Sequence, residues 1–205
     1  MKLEILLFEL KYRSRRPATY IYLLLSFALC FLTVASPTLS VPPLVDPNSP
    51  YMLTLLLVVI GYVFTLINSA VIGVSIIRDF DHQMEPLVFT TPVRKLDYLL
   101  GRFAGSFVVL ILISLAALLG VALAYFFGEF MPWEISWVDK SLQPFQLWHF
   151  IQPYLVFYLP NLFITSALFF LGGAIGRNTI YIYTQGIIFI VLYQISISFF
   201  KDMES

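Results

Sequence analysis

The sequence predicts an all-α fold: a polytopic membrane helix bundle of about five transmembrane helices, preceded by an interfacial amphipathic helix. Three observations carry this. Only 12% of the 205 residues are charged, about half the fraction usual in a soluble domain. The mean hydropathy is +0.87. Five apolar runs approach or exceed the roughly 20 residues a helix needs to cross a hydrocarbon layer about 30 Å thick. In lipid each backbone amide must be paired internally, so the runs are read as helices.

Residues 1–16 form the amphipathic element. Leu3, Leu6, Leu7 and Leu10 share one helical face, and Lys2, Glu9, Arg13 and Arg16 gather on another. Glu9 and Arg13 make an i,i+4 pair in the favourable order. The segment is expected to lie in the headgroup layer, leucines in the acyl boundary, with Arg13, Arg15 and Arg16 towards anionic phosphates. Both a topology anchor and a partner contact remain open for it.

Residues 17–205 form the transmembrane domain. Its spans are expected at about 17–36, 51–77, 99–127, 153–176 and 180–200. Pro17 suits the first turn of the first span. That span has a core near 20 residues, and the segment before it contains Glu4 and Glu9. Both features argue against a cleaved signal peptide. Cys30 lies inside the first span and reads as a small packing or lipid-facing residue.

The loop over 37–50 carries five prolines with Ser36 just before it, and reads as an extended connector. The longer 128–152 loop holds Trp133, Trp137, Trp148 and His149. It reads as an aromatic belt with a short helix around Leu142 to Phe150, and a substrate gate stays open as the alternative. Pro160 is expected to kink the fourth span. Of the twelve Lys and Arg, ten fall on the side of the N-terminus. The positive-inside rule then makes the N-terminus cytoplasmic.

The loop over 78–98, with charge continuing to Arg102, is the most distinctive stretch. It concentrates Arg78, Asp79, Asp81, His82, Glu85, Arg94, Lys95 and Asp97 between two apolar spans. Pro86 and Pro92 divide it, and Leu87, Val88 and Phe89 form an apolar patch amid the charges. Such a segment suits a groove on a soluble partner, or is a solvated connection. Gly101 and Gly105 then form a G-x-x-x-G that permits close helix approach.

Much chemistry is excluded. No G-x-x-x-x-G-K-[ST] occurs, so no P-loop for ATP, and no H-E-x-x-H. There is no Cys/His metal cluster and no G-x-S-x-G. The net charge of zero gives no reason to expect nucleic acid. No charged residue lies deep within a span, which argues against an ion-coupled carrier, although Na⁺ sites built from carbonyls stay open. Asn68 and Ser69, then Asn161, Thr165 and Ser166, then Gln185 and Gln194 are the polar groups inside. They read as interhelical hydrogen bonds. Asn68, Asn161 and Gln185 are also the candidates for lining a translocation path.

Arg78 to Asp81 read R-D-F-D, Leu87 to Lys95 read L-V-F-T-T-P-V-R-K, and Tyr98 to Ser106 read Y-L-L-G-R-F-A-G-S. With these, the chain resembles the N-terminal part of an ABC exporter permease of the second type. The 78–98 loop is similar to the coupling helix of that family and residues 1–16 to its elbow helix. Y-R-S-R-R-P-A-T-Y-I-Y at Tyr12 to Tyr22, M-P-W at Met131 to Trp133, and Q-P-Y and L-P-N-L-F within Gln152 to Phe163 look like bacterial permeases fused to a zinc aminopeptidase. The resemblance implies a multi-pass permease in a bacterial inner membrane. It implies a homodimer or a second permease half, and a separate ABC ATPase subunit that binds and hydrolyses the ATP. The permease itself is then no enzyme and needs no cofactor. Asp79, Asp81, Glu85, Arg94 and Lys95 are the ATPase contacts so implied. The chain departs from the family in two ways. The family has six spans per half, so a sixth is expected to be missing. His82 to Met84 stand where a Gly-Thr is usual. A non-transporting membrane scaffold or assembly factor is the competing expectation.

Overall fold

In the computed structural model, residues 2–36, 39, 41–42, 44–81, 94–127, 130–131, 135, 142–176 and 178–204 are described. They are all-helical, with no strand among them. The helices are α1 (Lys2–Ser14), α2 (Pro17–Val34), α3 (Pro50–Asp81), α4 (Lys95–Phe127), α5 (Leu147–Pro153), a π-helical segment (Tyr154–Tyr158), α6 (Leu159–Gly176) and α7 (Thr179–Glu204). The α5, π and α6 stretch runs without a break. Four helical stretches are long and apolar enough to cross a membrane: Pro17–Val34, Pro50–Arg78, Lys95–Phe127 and Leu147–Gly176. The chain is thus a multi-pass helical membrane protein. The expected fifth span falls on α7, whose apolar described part is Ile180–Ser196.

Helix starts follow local chemistry. Pro17 occupies the first turn of α2, where its missing N–H costs nothing. The corner before it is tied by side chains: Thr19 Oγ1 donates to the Arg13 carbonyl at 2.9 Å and the Tyr20 hydroxyl to the Ser14 carbonyl at 2.7 Å. The Arg13 carbonyl also accepts from the Arg16 N–H at 3.0 Å, so the last turn of α1 is capped by backbone and side chain together. The fourth span begins at Leu147, six residues before the expected Pro153. Pro160 brings a change of helix type, because the segment just before it is π-helical and the Leu159 N–H donates to the Tyr154 carbonyl five residues back. A proline ring presses on the carbonyl four residues earlier, and the wider π turn relieves that crowding.

The chain forms two compact units. The first comprises Met1–Tyr12, Tyr62–Val108 and Leu162–Ser205, the second Arg13–Gly61 and Val109–Asn161.

In the first unit the core holds Ile72, Ile76, Ile77, Phe169 and Ile182. Ile182 of α7 fills the space left by two glycines. A side chain on Gly73 would collide with it, and one on Gly173 would meet its Cδ1 at 3.1 Å. Without a hydrophobic force between helices in lipid, such close fits hold spans together. Phe103 meets Phe163 and Phe170 edge-on, at centroid distances of 5.7 and 5.2 Å.

In the second unit the core holds Val34, Leu53, Ile113, Val121 and Phe150. Cys30 is buried there as a packing residue. The proline-rich loop is built of turns where it is described. Val45 N–H donates to Pro42 and Ser49 N–H to Asp46, which corrects the extended connector expected from the prolines. The reason is tertiary: Asn48 bonds both ways with the Gln143 backbone, at 2.7 and 2.9 Å. Gln143 in turn donates to Asp46 at 2.7 Å, and the Tyr125 hydroxyl donates to the Pro47 carbonyl at 2.6 Å. Trp148 is exposed, while Trp133 and Trp137 lie outside the described residues.

Candidate functional site

The one charged side chain with no exposure at all in the first unit's described part belongs to Glu9, at 0%. It lies on α1, an element too short to stand alone in water as a stable helix. What fixes it is a shared carboxylate oxygen. Arg78, near the end of α3, places a guanidinium nitrogen 2.9 Å from Glu9 Oε2. Arg102, near the start of α4, places one 2.6 Å from the same oxygen. These two arginines flank the charged loop in sequence.

The surroundings support the pairing. Arg78 lies 3.9 Å over the Tyr12 ring and Arg102 is 5.6 Å from the Tyr98 ring centre. Both distances suit a cation over an aromatic face. Gly105 makes the approach possible: a Cβ there would stand 2.7 Å from the Glu9 Cβ and 3.3 Å from the Leu6 carbonyl oxygen. The close approach expected of the G-x-x-x-G is therefore made, at Gly105, by α1. Taking three charges out of water is expensive, and only good geometry with complementary partners recovers the cost. Charge-assisted bonds of this length are the strong kind.

Local periodicity did not reveal this site because the arginines that pair with Glu9 lie 69 and 93 residues away in the chain. The leucine face was expected to lie in the acyl boundary, away from the protein interior. Leu7 is 55% exposed and Phe8 60%, whereas Glu9 is fully covered. Ile5, Leu6 and Tyr12, three and four residues from Glu9, are half-buried beside it. The two arginine pairs hold Glu9 on the covered side of the helix. A readable signal existed, since Glu9 shares its helical stripe with Ile5, Leu6 and Tyr12.

Of the predicted contact residues, only Arg94 and Lys95 have described side chains. Asp79 and Asp81 close the backbone of α3, while their side chains, like Glu85, lie outside the described residues. Arg94 and Lys95 are exposed where α4 begins.

The predicted path residues separate. Asn68 is 1% exposed and occupied at both ends of its amide. It donates to Thr165 Oγ1 at 2.9 Å and accepts from Ser166 Oγ at 2.9 Å. Gln185 donates to the Leu168 carbonyl at 3.0 Å, its amide seated against Gly172, which has no side chain to block it. Asn161 belongs to the second unit and is exposed. Replacing Asn68 by Leu is expected to cost about 1 kcal/mol, the usual scale of polar pairs between membrane helices. Thermal unfolding in detergent reads this as a modestly lowered midpoint, and an unchanged midpoint would mean the Asn68 bonds contribute nothing.

Among the described residues no group of three or more His, Cys, Asp or Glu side chains could hold a metal ion. No protein-family model matches the chain, and no curated protein and no solved structure matches it.

Proposed function

We propose that this protein is the membrane-spanning permease subunit of an ATP-driven exporter of the ABC type, in a bacterial inner membrane with the N-terminus in the cytoplasm. A separate ATPase subunit docks on the loop between α3 and α4, through Asp79, Asp81, Glu85, Arg94 and Lys95. A second copy of the chain, or a second permease half, completes the transporter. The observation that carries the reading is the pair of bonds from Glu9 to Arg78 and Arg102. They join both helix ends flanking the loop to α1. A force applied at the loop then moves both helix ends and α1 together, as coupling of ATP closure to the membrane requires.

The test is affinity capture of the detergent-solubilised chain, with bound soluble proteins assayed for ATP hydrolysis. A bound ATPase is expected, lost when Asp79, Asp81 and Glu85 are replaced together by Ala. Capture that survives the triple replacement would refute the contacts. A well-folded chain that captures no ATPase would refute the exporter reading. It would favour a non-transporting membrane scaffold, for which the Asn68 amide speaks, since its nitrogen and its oxygen each bond to a neighbouring helix.

A further inference from the structure

The span built from α5, the π segment and α6 carries an unusual stretch within the second unit. Four features coincide there. The π segment Tyr154–Tyr158 is bounded by Pro153 and followed by Pro160, so two backbone N–H donors are missing within eight residues of chain. The Tyr158 side chain is buried, yet its hydroxyl has no hydrogen-bond partner among the described protein groups. Buried polar groups are paired in the great majority of cases, so an orphan calls for an explanation. Tyr154 stacks on Tyr158 with ring centres 5.5 Å apart and is held by one polar contact, its hydroxyl 2.7 Å from Ser114 Oγ. The Ser114 hydroxyl itself donates to the Ile111 carbonyl at 2.9 Å, so Tyr154 is the donor in that contact. Finally, Gly61 faces the Tyr158 ring with no side chain. An added Cβ would stand 3.4 Å from the ring, in van der Waals contact, so the bare glycine leaves the space of one methyl group beside the ring.

We propose that this segment is a register switch. The described register is π, held by the Leu159 N–H bond to the Tyr154 carbonyl and by Tyr154 on Ser114. In the second register the turn closes to α, and the residues before it rotate about the helix axis by about 100°, one residue's turn, relative to Leu159 and Pro160. The Tyr154 bond to Ser114 breaks and the Tyr158 hydroxyl leaves its unpaired position. The two registers stay close in free energy because each gives up something. The π form leaves the Tyr158 hydroxyl unpaired. The α form brings the Pro160 ring against the Val156 carbonyl. This switch is independent of the exporter reading.

The test uses the full chain in lipid nanodiscs with 3-fluorotyrosine at position 158, followed by fluorine NMR. Two resonances in exchange are expected. Tyr154→Phe, which removes the bond to Ser114, is expected to raise the minor resonance. Pro160→Ala, which removes the crowding, is expected to do the same or leave only the former minor resonance. A single resonance in the native chain overturns the switch. Two resonances whose ratio neither substitution changes also overturn it, since ring motion alone would give that result. If Pro160→Ala does not fold, the Tyr154→Phe ratio decides.

Discussion

Replacing Glu9 by Ala is expected to cost about 3–5 kcal/mol, the scale for breaking a buried ion pair by removing one partner. The reason is local. Arg78 and Arg102 are 11% and 7% exposed at the side chain, and both lose the carboxylate that their guanidinium groups share. The readout is thermal or denaturant unfolding of the purified chain in detergent. A double-mutant cycle with Arg102→Ala is expected to show strong coupling, because residues in one ion-pair network are not additive. If the single substitution shifts stability by well under 1 kcal/mol, the ion pairs contribute little and α1 is held by its apolar contacts. That outcome would also remove the mechanical link on which the coupling proposal stands. Glu9→Gln is the finer probe: it keeps the volume and loses the charge, so a cost close to that of Ala assigns the effect to electrostatics.

Gly120→Ala is expected to destabilise the second unit by about 1–3 kcal/mol or more, the range for forcing extra atoms into a close-packed contact. A Cβ at this position would stand 2.5 Å from the Phe27 carbonyl oxygen and 3.2 Å from the Phe31 amide nitrogen. Those are backbone atoms, so α2 itself must move away from α4. Few residues of α2 are buried, Ser26, Cys30 and Val34 among them, so it has little other contact with which to compensate. Gly61→Ala is the matched control. Its Cβ would stand 3.4 Å from the Tyr158 ring and touch no backbone, and it is expected to be tolerated. Equal effects of the two substitutions, measured by unfolding in detergent, would show that intrinsic helix propensity and not the α2–α4 approach governs both.

These cases show where sequence patterns reach. Hydropathy placed the ends of the long apolar helices to within six residues because lipid punishes unpaired backbone uniformly along the chain, so the signal is a sum over about twenty positions. The polar residues in the spans were also read correctly as interhelical bonds in the case of Asn68, since an amide in hydrocarbon has little alternative. The loop prolines misled because proline fixes one angle but says nothing of which distant side chain, here Gln143, will hold the next residue. The leucine stripe on α1 was silent on Glu9 for the same reason: periodicity names an apolar face, and what covers the other face depends on what the rest of the chain presents.

The sequence by itself therefore determined that this is a helical membrane protein, how many apolar runs it has and roughly where each begins and ends. Those properties follow from local composition against a uniform solvent. Only the tertiary structure decided that Glu9 sits between Arg78 and Arg102 and that Gly105 and Gly120 are the points of closest approach. It alone showed that the turn before Pro160 opens into a π segment. Each of these depends on a few pairwise contacts at ångström distances between residues far apart in the chain, and no sum over a sequence window contains them.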